Sequence, residues 1–87
     1  MSERPDPARI LADLTDIFRI HFDDPSLVLK PTTTARDVAG WDSAQMVMLV
    51  IAVEDRFGLH MRSHEIDALA CVGDWIDLIE EHLRSRS

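Results

Sequence analysis

Ser43 offers the clearest opening for chemistry in this chain. It follows Asp42, which carries the side chain of a good helix N-cap, so the serine falls in the first turn with its hydroxyl free. An Asp-Ser pair at a helix start is common, and alone it reads equally well as structure. His60 and His64 lie four residues apart, the spacing of a metal-ligand pair on a helix. Residue 60 is expected to precede that helix and no third ligand follows, so no metal centre is predicted. A Ser-His-Asp hydrolase is disfavoured as well. There is no Gly-x-Ser-x-Gly elbow, and 87 residues leave little from which to build a cleft. No catalytic residue is assigned.

The composition narrows the setting. Sixteen acidic residues against nine Lys plus Arg give a net charge of −7, which argues against binding nucleic acid. Such a charge suits a monomer that stays dispersed, or one steered toward basic patches on larger partners. Cys71 is the only cysteine, so no intramolecular disulfide is possible. With no signal-peptide pattern either, a reducing cytoplasm is the expected compartment. The longest apolar run, residues 46–53, is far too short to cross a bilayer. One domain spanning residues 1–87 is expected, with flexible ends at residues 1–5 and 85–87.

Four helices are predicted to position Ser43. Asp6-Pro7 is a start signal, and Ile10, Leu11, Leu14, Ile17 and Phe18 recur at helical spacing, giving a first helix over residues 7–21. Asp23-Asp24-Pro25 ends it. Residues 23–41 hold two prolines, three consecutive threonines and Gly40, and read as a long ordered loop with one short turn near residues 35–38. Leu27, Val28 and Leu29 are expected to pin that loop to the core. The second helix runs from Asp42-Ser43 to Phe57, where Gly58 supplies a left-handed stop. Within it Val47, Val50, Val53 and Phe57 form the stripe expected to face inward. Ser63 is read as the cap of a short third helix over residues 64–69, with Ile66 and Leu69 inward. A last helix over residues 72–84 buries Val72, Trp75 or Ile76, Ile79 and Leu83, with Arg84 and Arg86 favouring its C-terminus. The fold class is all-α: a bundle of three longer helices and one short, with a long loop between the first two.

From Gly40 onward the pattern resembles the acyl carrier protein family. The likeness rests on Gly40-Trp41-Asp42-Ser43, on Phe57-Gly58 fourteen residues after the serine, and on Val72-Gly73-Asp74 twenty-nine residues after it. It extends over about residues 36–80, and the joint spacing of the three signals is far more specific than any one. The resemblance implies that Ser43 receives 4′-phosphopantetheine from coenzyme A through a separate phosphopantetheinyl transferase. The arm would then carry acyl groups as thioesters between acyl-loading and acyl-consuming enzymes of fatty-acid, polyketide-like or specialised metabolism. Asp42 would cap the helix beneath it, and the positive end of that helix favours a phosphodiester. The chain itself would perform no bond chemistry. An acidic helical adaptor with unmodified Ser43 is the competing reading, and a peptidyl or aminoacyl carrier shares the arm but differs in cargo.

Two residues depart from the family's pattern. Ala44 stands where leucine is usual, and Cys71 stands where Thr or Ser commonly caps the last helix. Cysteine is a poor cap, so a looser helix start, by about 1 kcal/mol, is expected there. Both departures bear on cargo and partners rather than on the attachment serine. Ala44 and Met48 are the expected docking surface just beyond it, with Glu54, Asp55 and Asp67 available to steer basic partners. Trp75 is expected in the core, where its bulk would narrow the space in which the family holds acyl chains.

Overall fold

A computed structural model of the chain describes residues 6–85. Four helices follow in order: α1 (Pro7–His21), α2 (Ser43–Phe57), α3 (Ser63–Asp67) and α4 (Val72–Ser85). Among the described residues there is no strand, only an isolated bridge between Thr34 and Cys71. The expected all-α bundle is therefore present. Residues 1–5, 86 and 87, including Arg86, lie outside the described part. Ser85 closes α4, its hydroxyl donating to the Glu81 carbonyl.

The ends of α1 and α2 follow from local chemistry. The Asp6 carboxylate accepts from the Ala8 N–H at 3.0 Å with Pro7 in the first turn, satisfying one of the donors a helix start leaves free. Asp23 then takes a left-handed conformation, φ 52°, which a short polar residue tolerates. Asp24 closes the following turn by accepting from the Ser26 hydroxyl at 2.6 Å and its N–H at 3.0 Å. Those donors hold the Asp24 carboxyl below its ordinary range. Gly58, at φ 66°, ends α2 as expected.

α1 packs against both α2 and α4. Ile10, Leu14, Ile17 and Phe18 meet Leu49, Val50 and Val53 from α2 and Val72, Trp75, Ile76 and Ile79 from α4. At their centre is an aromatic cluster. Phe18 stands edge-on to Trp41, 5.0 Å between centroids, and to Trp75, 6.2 Å, with Phe22 6.0 Å away. Edge-to-face pairs add about 0.5–1.5 kcal/mol each beyond the area they bury. Arg56 of α2 meets Asp13 of α1 at 3.0 Å, a partly exposed pair contributing at most about 1 kcal/mol.

Several expectations need correction. Val47 does not share the inward stripe; it is 59 % exposed. Met46, Leu49, Val50, Val53 and Phe57 supply that face, and Val47 lies about 100° around the helix from Met46. Val28 points outward at 63 % exposure while Leu27 and Leu29 pack inward, because an extended segment alternates sides. The turn expected near residues 35–38 is present, the Asp37 N–H donating to Thr34 O at 2.9 Å, but it is not alone: Thr33 N–H donates to Lys30 O and Trp41 N–H to Val38 O. Ser63 is the first residue of α3 rather than its cap. Glu65 does that work from within, accepting from the Arg62 N–H at 2.9 Å, and this bond holds its carboxyl below the ordinary range. Ile66 and Leu69 are half-buried against the core, Leu69 just past the helix end.

The start of α4 is not loose. Val72 N–H donates to Thr33 O at 2.8 Å and Gly73 N–H to Pro31 O at 2.7 Å, while Asp74 accepts from Ala70 and Cys71. The long loop thus satisfies donors that Cys71 leaves open. A Cβ on residue 73 would sit 3.0 Å from Pro31 O, so glycine there is what lets the loop approach.

Candidate attachment site at the start of the second helix

Each residue of Gly40-Trp41-Asp42-Ser43 has a separate task. Gly40 turns the chain at φ 87°, a conformation that side chains disfavour. Trp41 drops its indole into the core at 9 % exposure, edge-on to Phe18. Asp42 is extended, φ −122° and ψ −171°; its carboxylate accepts from the Gln45 N–H at 3.0 Å and its carbonyl from the Met46 N–H at 2.8 Å. Ser43 is then the first helical residue and is exposed. The N–H groups of Ser43 and Ala44 meet no acceptor among the described residues, so the positive end of α2 faces outward beside the hydroxyl. Asp42→Ala is expected to lower stability by about 1 kcal/mol, read from urea unfolding, because the Gln45 donor loses its partner.

Trp41 is a site residue that the residue-by-residue reading missed. Its signal was its place just before an N-cap, where an apolar residue commonly fixes the angle at which the chain enters a helix. A hydrogen bond between His21 Nε2 and Gln45 Oε1 was also missed; it ties the end of α1 to the first turn of α2. The His21 ring stands edge-on to Phe22, centroids 4.9 Å apart.

The expected docking residues are placed unevenly. Ala44 and Met48 are exposed beyond Ser43, and Val47 and Ile51, 59 % and 54 % exposed, join them as an apolar strip along α2. Asp55 and Asp67 are exposed. Glu54 is engaged within the fold: its Oε2 accepts from the Met61 N–H at 2.8 Å and lies 3.1 Å from His60 Nδ1. His60 sits outside α3, as read, while His82 Nε2 of α4 lies 3.1 Å from Glu65. Among the described residues no three His, Cys, Asp or Glu side chains gather to hold a metal. Among the described residues no helix is long and apolar enough to cross a membrane.

No family model matches the chain. Over 70 residues it is 33 % identical to the acyl carrier protein of Acidothermus cellulolyticus, covering 80 % of this chain and 83 % of that protein. The chain belongs to the acyl carrier protein family. Its fold is similar to the solution structure of a holo acyl carrier protein from Geobacter metallireducens, with a TM-score of 0.83 and 36 % identity over 88 % of each chain. The carrier-protein resemblance read from Gly40, Ser43, Phe57-Gly58 and Val72-Gly73-Asp74 is thereby borne out at the level of family and fold.

Proposed function

We propose that this acyl carrier protein is a non-catalytic covalent shuttle, with Ser43 Oγ as the attachment atom for 4′-phosphopantetheine. The observation that carries the reading is an exposed serine hydroxyl at the outward-facing positive end of α2, next to the Ser43 and Ala44 N–H groups, which meet no acceptor among the described residues. A phosphodiester there gains from both the donors and the helix dipole. Asp42 and Trp41 support the same reading by fixing the helix start to the core. When bound, the arm supplies a terminal thiol that holds acyl groups as thioesters. Loading and consumption fall to separate enzymes, as does the attachment by a phosphopantetheinyl transferase. The cargo belongs to fatty-acid, polyketide-like or specialised acyl metabolism, and the compartment is a reducing cytoplasm.

The test is incubation with coenzyme A and a promiscuous transferase, followed by intact mass. A gain of one phosphopantetheine on folded protein is expected. No gain would leave an acidic helical adaptor with unmodified Ser43 as the better reading.

Partner docking runs along α2 through Ala44 and Met48, with Glu54, Asp55 and Asp67 at its margin. Because the presented strip is apolar and the Glu54 carboxylate is engaged internally, contact depends on packing more than on charge. Raising ionic strength to ordinary levels should therefore weaken transferase binding by no more than about threefold, measured by calorimetry. A steep loss with every partner would contradict this.

A further inference from the structure

We infer that the interior of this bundle is closed to acyl cargo, so that whatever Ser43 carries stays outside, and that Trp75 is the residue that closes it. The inference rests on the carrier reading above. An apolar group tethered at the start of α2 has two apolar destinations, the core and the exposed strip of Val47, Met48 and Ile51. Burial in the core would be favoured in proportion to the alkyl length that found room.

Among the described residues the core around Phe18 and Trp75 is closely packed. Trp41 stands two residues before the serine with its ring already buried, 6.4 Å from Trp75 and 5.0 Å from Phe18. Trp75 and Phe18 have no exposure at all, and Leu49, Val53, Val72 and Ile79 close around them from α2 and α4. Rings from α1, the long loop and α4 thus fill the space between helices. A close-packed interior admits extra methylene groups only by displacing side chains and backbone. Trp75 is the largest of the fully buried side chains among the described residues, and it comes from α4. The cargo this arrangement suits is short or oxygen-bearing acyl groups, which lose little by remaining in water or against a partner. Long saturated chains gain no shelter here.

Trp75 also provides the reporter. Its Nε1–H meets no acceptor among the described residues, so a thioester or acyl oxygen entering the interior would give it one and move its resonance. The experiment loads the protein from acetyl-coenzyme A and from octanoyl-coenzyme A, confirms each by intact mass, and compares indole ¹H–¹⁵N spectra and melting temperatures. The acetyl and octanoyl forms are expected to share one Trp75 indole position and one melting temperature. A displaced indole together with a higher melting temperature for the octanoyl form would overturn the inference, since sequestered cargo stabilises the native state. Failure to load at all would instead overturn the carrier reading, and this inference with it. Trp75→Leu opens the interior, so octanoyl should then raise the melting temperature above that of the acetyl form. A folded Trp75→Leu protein indifferent to chain length would overturn the role given to Trp75. If that variant does not fold, the wild-type comparison still decides whether the interior is closed.

Discussion

Trp75→Ala is expected to remove about 3–5 kcal/mol of folding stability, the cost typical of emptying a large aromatic site in a core. The side chain is fully buried and packs between Phe18 of α1 and Trp41 of the long loop. Its loss therefore weakens the docking of α4 and of the loop together. At about 0.05–0.15 kcal/mol per residue, a domain of this size is stable by about 4–13 kcal/mol, so the variant loses between about a quarter and all of that stability. Urea unfolding followed by far-UV circular dichroism measures the change, and Trp41 remains as a fluorescent probe of the loop. A loss below about 1 kcal/mol would mean that the cavity collapses freely and that the aromatic cluster does not hold the helices together.

Ser43→Ala is expected to abolish phosphopantetheine loading while leaving the fold intact. The hydroxyl is exposed and makes no hydrogen bond among the described residues, whereas the cap beneath it belongs to Asp42. Alanine is also the best helix former, so unfolding free energy should stay within about 0.5 kcal/mol of wild type. The two measurements are read together: intact mass after transferase treatment, and urea unfolding of the same preparation. Residual loading of Ser43→Ala would place the attachment on another residue. Loss of the fold would show that Ser43 is part of the helix start rather than a handle presented by it.

Much of this architecture was legible because its punctuation is local. Asp6-Pro7 and Asp42 opened helices where expected and Gly58 closed one, since caps act within three residues of themselves. The long loop was legible from its prolines and threonines. What escaped were features set by distant chain. The start of α4 looked weak from Cys71 alone, yet Thr33 and Pro31 supply carbonyls from some forty residues earlier. Val47 looked like core because residues 46–53 are apolar all round; only the position of α1 decides which arc is covered. Met61, 3 % exposed, lies in a connection with no periodicity to announce it.

The attachment site divided in the same way. Ser43 and Asp42 were readable from type and spacing, while Trp41 was read only as part of a motif and proved to be its anchor. Glu54 looked like a surface acid, but its partners, His60 and the Met61 N–H, lie beyond the helix stop at Gly58. The contact between His21 and Gln45 joins residues 24 positions apart, and neither carries a local sign of the other.

Peptide mapping of transferase-treated protein decides whether Ser43 carries the arm. Trypsin cuts after Arg36 and Arg56, and the peptide covering residues 37–56 contains Ser43 as its one hydroxyl-bearing side chain. This peptide alone is expected to gain a single phosphopantetheine, with the fragment spectrum placing it on Ser43. An unmodified peptide from fully folded protein, or an arm found on any other peptide, would contradict it.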